Sequence, residues 1–487
     1  MKPAPWLSLA ALLAGACSDD TTGPEPAELA ELCGQEGPVQ ILALDPDRPL
    51  ARVGDRGIFG ERRVLQVEYV GEADDDLGEH EVWSVGLCGE DPRLIAEGDI
   101  YVIRYLDIWP ELLFECDAAT GRISTLDPLG VQSANVVFET DDCSSRPLDE
   151  GLLTVVANDD DATASLILQP WLNDPWTESA ESVVLHDSLR SPVNVSLVGD
   201  VGVGDDELFV ITADDELVAI SRVDGAPTTI ATNVAAARQS RSGRYVFWQD
   251  AQLTNADPRI PEGAMFLLDR QTDEVLELGE GRTEATYLNE FQLESLGFFH
   301  VTLGEDSDGV HRFVRLATFE SFDVPIDLFV HGAIDDTRVL VGGWWFTAPF
   351  WIFDTTTAEL TMLFDGDGTV RDMDEARFDL LERSSSDASK LRRVPYQGEP
   401  TLLARRATDG YWLTSDGRVV TPIDADADFV GKLIVVDPAT LDEQIIDDHV
   451  LRYQPTPIDD FEGDPVVLYA VADRERQGVW IARLEKP

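Results

Sequence analysis

Four times in this chain an apolar run ends in the pattern Asp-x-x-Thr. The segments are Phe114-Glu115-Cys116-Asp117-Ala118-Ala119-Thr120-Gly121, Phe266-Leu267-Leu268-Asp269-Arg270-Gln271-Thr272, Trp351-Ile352-Phe353-Asp354-Thr355-Thr356-Thr357 and Ile434-Val435-Val436-Asp437-Pro438-Ala439-Thr440. A new apolar run follows each within a few residues, so each predicts a hairpin. The aspartate accepts hydrogen bonds from backbone N–H groups about two residues on, and the threonine hydroxyl closes the loop. The four aspartates therefore read as structural. From Asp117 to Asp269, Asp354 and Asp437 the spacings are 152, 85 and 83 residues. Three, two and two units of roughly 40 to 50 residues account for them, the period of a four-stranded blade.

Between these hairpins the chain alternates short β-branched or aromatic runs with turn residues, among them Val64 to Val70, Leu208 to Thr212, Tyr245 to Trp248, Phe298 to Leu303 and Val466 to Val471. Most are too short for helices, so the chain reads as all-β. The period predicts a β-propeller of four-stranded blades over residues 33–487, with eight blades expected and seven or nine allowed; two sandwiches are the alternative. Asp365 to Pro422 fits the period worst, because Phe378 to Lys390, with Ser384-Ser385-Ser386, reads as a loop or insertion. Val39 to Leu44 is an early strand without an evident partner. The last strands, Val466 to Val471 and Val479 to Ala482, lack an outer neighbour, so pairing the two chain ends would remove an exposed edge.

One segment carries a family resemblance. Ser242-Gly243-Arg244-Tyr245-Val246-Phe247-Trp248-Gln249-Asp250, followed by Met265-Phe266-Leu267-Leu268-Asp269, resembles the propeller repeat of the TolB and WD40-like secreted families. That resemblance implies a fold. It implies no activity.

The N-terminus predicts export. One lysine, an apolar stretch Trp6 to Ala14 and small residues before Cys17 read as a signal peptide over residues 1–16. Leu12 to Cys17 resembles a bacterial lipobox, departing from it at Ala14, which implies lipidation of Cys17. The Ala14-x-Ala16 pattern also fits ordinary signal peptidase. Ser18 is similar to an outer-membrane sorting signal. Residues 17–32 lack apolar periodicity and read as a flexible tether, averaging about 22 Å end to end. Without Cys17 the cysteines are Cys33, Cys88, Cys116 and Cys143, an even set in an exported chain. Sequence-local pairing gives Cys33 with Cys88 and Cys116 with Cys143, each stabilising by about 3 to 4 kcal/mol; four unpaired thiols are the alternative.

Asp and Glu number 93 against 36 Lys and Arg, a formal net charge of −57. With four lysines and no basic run, the chain excludes nucleic acid as a partner. At 26% charged and 44% hydrophobic it can still build a large core. Its six histidines (His80, His186, His300, His311, His331 and His449) form no HExxH, and no GxSxG, Walker loop or GxGxxG after a strand occurs. Alternating oxygen ligands in Asp424-Ala425-Asp426-Ala427-Asp428 make Asp424, Asp426 and Asp428 the candidates for a calcium ion, although the run lacks the glycine and glutamate of an EF-hand. No other cofactor is expected. Trp344 and Trp345, after Gly342-Gly343, point to opposite faces of a strand, so one is free to stack on a sugar or anchor a protein. The expectation is a lipid-anchored, outer-membrane binding scaffold for an envelope protein or glycan. The rival is a hydrolase or lyase with a carboxylate or metal site in the propeller funnel.

Overall fold

The computed structural model describes residues 25–26 and 31–485, except 60, 71–76, 99, 104–111, 118–119, 130–131, 140–144, 159–162, 179–180, 191–200, 204–206, 241–242, 251–261, 283–296, 304–309, 325–328, 336, 343–348, 358, 367, 383–388, 409, 427–428, 452–455 and 460–464. No helix occurs among the described residues. The fold is an all-β propeller type built of antiparallel sheets. Two compact units are present: Asp45–Arg405, and Met1–Leu44 with Arg406–Pro487.

In Asp45–Arg405, eight sheets follow one another along the chain, each a meander of consecutive strands. Seven have four strands; that of Phe298–Leu303, Val310–Arg315 and Ser321–Val324 has three among the described residues.

Burial explains why the central strands look as they do. In strand Tyr245–Asp250, Tyr245 and Phe247 pack with Phe299, Val301 and Val314 of the following sheet. Val246 and Trp248 pack with Phe209, Ile211 and Ala219 of the preceding one. Successive side chains point to opposite faces, so a strand buried on both sides must be apolar at every position. Hence Tyr-Val-Phe-Trp, with no polar alternation. Phe247, only 1% exposed, contributes about 1.5 to 3 kcal/mol by burial. All seven successive pairs of sheets share such a cluster. Sheets between the first and last thus bury both faces, unlike the two-sandwich alternative, whose sheets bury one. First strands such as Val234–Gln239 and fourth strands such as Pro227–Ala231 remain partly exposed.

The other unit holds a nine-stranded sheet. As the sequence predicted, the chain ends join: Val39–Ala43 pairs antiparallel with Gly478–Arg483, Val39 opposite Ile481 and Ala43 opposite Gly478. Close approach there demands glycine, since a Cβ on Gly478 would lie 2.2 Å from the Leu42 carbonyl oxygen.

Two expectations need correction. Phe378 to Glu382 and Lys390, expected within a loop or insertion, belong to strands: Arg377–Glu382 and Lys390–Pro395 are the central strands of a sheet with Gly368–Met373 and Thr401–Arg405, while residues 383–388 with Ser384-Ser385-Ser386 lie outside the described residues. Charged residues inside these strands hid the pattern, and cross-strand pairing neutralises them. Nor is the predicted tether free along its whole length. Glu25–Pro26 runs parallel to strand Glu443–Leu451, Arg483 donates to the Glu31 carbonyl at 3.4 Å, and Leu32 is buried. Cys33, Cys88 and Cys116 are disulfide-bonded; Cys17 and Cys143 lie outside the described residues.

Candidate functional site

In an antiparallel meander, turns from first to second and from third to fourth strand share one end of the sheet. The second-to-third linker lies at the other. The two ends differ in chemistry.

At the turn end, the Asp-x-x-Thr aspartates behave as predicted. Asp269 Oδ1 accepts from Gln271 N at 2.8 Å, Asp354 Oδ1 from Thr356 N at 2.8 Å, and Asp437 Oδ1 from Ala439 N at 2.7 Å. Asp117 Oδ1 likewise accepts from Thr120 N at 3.2 Å, but its hairpin joins the second and third strands and so lies at the other, linker end of its sheet. The residue after the threonine is left-handed: Gly121 at φ 64°, Asp273 at 58°, Leu441 at 65°. Two more hairpins have this geometry and escape the motif. Gly225 N donates to Ser221 O at 2.9 Å and Phe319 N to Arg315 O at 2.8 Å, with φ 69° and 53°. Serine and arginine stand where the motif has aspartate. The remaining sequence signal is the spacing, with Ser221 and Arg315 48 and 46 residues either side of Asp269.

Arginines at the start of second strands complete this end. Arg338 Nε donates to Asp335 Oδ2 at 2.6 Å, and Arg418 grips Asp416 Oδ2 through Nε and Nη2 at 2.9 and 2.6 Å. The Arg338 bond, helped by the Thr337 N–H, holds the Asp335 carboxyl down at about 2. Arg377 reaches Asp372, Asp374 and Asp379 at 2.7, 3.0 and 2.9 Å. Arg393 adds bonds of 2.8 and 2.7 Å to Asp379, which is fully buried. These carboxylates are engaged in holding turns and strands. The sequence pattern marks Asp117, Asp269, Asp354 and Asp437, but neither these arginines nor the carboxylates they bind, all of which lie outside Asp-x-x-Thr.

A polar network in the unit of Met1–Leu44 and Arg406–Pro487 is of the same kind. Tyr469, buried and with its phenol pushed well up by desolvation, donates to Asp447 Oδ2 at 2.8 Å. Arg476 binds both Asp447 oxygens at 3.0 and 2.7 Å and lies 4.5 Å over the Trp480 ring. The network ties the turn after Val471 to strand Glu443–Leu451. Its donors and acceptors bond one another, which makes it a brace.

Histidines also serve packing. His331 sits 5.2 Å from the Phe350 ring, and burial pushes its pKa down to about 4, so it is neutral at pH 7. His300 lies 4.8 Å from Phe313.

Of the sequence-predicted ligand residues, only Asp424 and Asp426 lie among the described residues. Trp344 and Trp345 belong to the linker between strands Arg338–Gly342 and Phe350–Asp354, and lie outside the described residues, as does Asp428. Asp424 pairs with Arg406 at 2.7 Å, and Asp426 Oδ1 accepts from Val430 N at 3.1 Å. Among the described residues, no group of three or more His, Cys, Asp or Glu is placed to hold a metal.

No protein-family model matches the chain, and no curated protein is similar to it in sequence. Similar solved structures include BamB from Moraxella catarrhalis, at 15% identity and TM-score 0.31, covering 70% of this chain and 94% of that one. TolB from Acinetobacter baumannii is 12% identical at TM-score 0.24, over 61% and 77%. The β-propeller domain of the Trilobed protease from Pyrococcus furiosus is 10% identical at TM-score 0.29, over 82% and 98%.

Proposed function

We propose that this protein is a lipid-anchored envelope β-propeller that acts as a binding scaffold for a protein or glycan. The observation that carries the reading is the division of its cysteines. Cys33, Cys88 and Cys116 are disulfide-bonded, a state favoured in exported proteins. Their sequence-local pairing is Cys33 with Cys88 and Cys116 with Cys143. That leaves Cys17 over, directly after an apolar leader and before Ser18.

The binding role rests on Trp344, Trp345 and the Asp424, Asp426, Asp428 run, the residue types in this chain that suit a stacked or coordinated ligand. Calcium is the ion suited to that run. Fractionation and intact-mass measurement test the anchor: Cys17→Ser should lose the mass of the acyl chains and leave the membrane fraction. An unchanged mass with unchanged membrane retention would refute it. Cross-linked capture from envelopes should weaken in Trp344→Ala/Trp345→Ala, and capture equal to the wild type would remove the tryptophans from the binding surface.

A further inference from the structure

The N-terminal segment does more than connect. Glu25 lies opposite Gln444 and Pro26 opposite Ile445, in parallel. Strand Glu443–Leu451 is bonded to Val430–Val436 along one side, whereas on its other side Pro465–Val471 reaches it only at Val450. The Glu25–Pro26 segment therefore covers an edge that would otherwise be open. Proline is tolerated there because an edge strand can dispense with one N–H. In Pro24-Glu25-Pro26, only Glu25 has a backbone N–H to give.

We infer that this docked segment fixes which end of the C-terminal unit faces the lipid surface; the inference rests on the Cys17 anchor proposed above. Because the pairing is parallel, chain upstream of Glu25 leaves toward Glu443 and the turn from Asp437 to Asp442. Val436 lies opposite Glu443 and Val430 opposite Leu451, so the linker from Asp424 to Phe429 is at the far end of the same strands. Strand Val430–Val436 separates these ends by about 20 Å. Eight residue steps join Cys17 to Glu25. Their contour is at most about 27 Å, shorter than that of a tether running to Leu32. The Asp437 to Asp442 turn is thus held beside the membrane, and the linker bearing Asp424, Asp426 and exposed Phe429 points away from it, toward partners. Asp437, Asp442 and Glu443 would be repelled by anionic headgroups, so this end is apposed to the bilayer without inserting.

The test uses the full lipidated chain on phosphatidylethanolamine–phosphatidylglycerol vesicles carrying a headgroup energy-transfer acceptor. A fluorescent amino acid replaces Ala439 in one sample and Phe429 in another. Transfer should be at least two-fold greater from position 439. Equal transfer, or more from 429, overturns the orientation while leaving the anchor standing; failure of the chain to float with the vesicles overturns the anchor. Docking is read separately by hydrogen exchange. Glu25→Pro should speed exchange in Glu443 to Asp447 several-fold and leave Ile434 to Val436 unchanged. Identical exchange in the two chains would show that the segment does not guard this edge.

Discussion

Arg244 clasps Asp269 through two hydrogen bonds, Nε to Oδ1 at 3.1 Å and Nη2 to Oδ2 at 2.6 Å. The aspartate thereby serves two turns, since Oδ1 also accepts the Gln271 N–H that shapes its own hairpin. Arg244 comes from the first-to-second turn of the sheet and Asp269 from the third-to-fourth turn. One carboxylate locks both at the same end. Asp269→Ala removes the clasp and the turn bond together and should cost about 2 kcal/mol, read as a lower urea midpoint at constant slope. An unchanged midpoint would show that the clasp is only decorative.

Asp379 is fully buried between Arg377 and Arg393. Removing one partner of a buried ionic group strands the others, so Asp379→Ala should cost about 3 to 5 kcal/mol. Denaturant unfolding measures this, and a loss below 1 kcal/mol would contradict the assignment of Asp379 as the neutralising centre.

Leu441 and Phe319 share a left-handed backbone but differ in burial, 44% exposed against 9%. Leucine in that conformation costs roughly 1 to 2 kcal/mol. Leu441→Gly should therefore stabilise by about 1 kcal/mol after glycine's own entropic cost. Phe319→Gly relieves the same backbone but empties a core site and should destabilise by about 2 kcal/mol or more. Melting temperatures moving in the same direction would count against this account.

Stability should fall in two stages on acidification. His331 is depressed to about 4 by burial, so its contribution is complete above the unfolded value of 6.5 and is lost as pH falls through the folded value. The full loss is on the order of 3 kcal/mol. Asp335, held at about 2 chiefly by Arg338, contributes above the ordinary carboxylate range and loses that contribution as pH drops toward 2. Urea unfolding from pH 7 to pH 4.5 should show a shallower slope in His331→Gln. Asp335→Asn should flatten only the range below pH 4.

Gly478→Ala tests the joining of the chain ends. The added methyl meets backbone, the Leu42 carbonyl oxygen, which cannot swing aside. A cost of about 1 to 3 kcal/mol is expected, with faster exchange in Val39 to Ala43. Retained protection of that strand would show that the ends are held by other contacts.

Much of the architecture is legible in the sequence. The Asp-x-x-Thr turns are local: side chain, acceptor and donor lie within four residues, so their chemistry is written in consecutive letters. The pairing of Val39–Ala43 with Gly478–Arg483 could also be anticipated, because two unpartnered edges invite one another. Strands Arg377–Glu382 and Lys390–Pro395 were not legible. Their arginines and Asp379 look like loop residues until register sets opposite charges side by side.

Among candidate site residues, sequence alone marked Cys17, Trp344, Trp345 and the Asp424, Asp426, Asp428 run through residue type and spacing. Tertiary structure decided what spacing cannot express. Asp424 faces Arg406, Asp269 is shared with Arg244, and Glu25–Pro26 lies along Gln444–Ile445, more than 400 positions away in the chain. The sequence by itself determined a strand-built, acidic chain, because periodicity, turn chemistry and charge are local or summed properties. Which charges are engaged and which edge the N-terminal segment covers depend on strand register, and register exists only when distant strands meet.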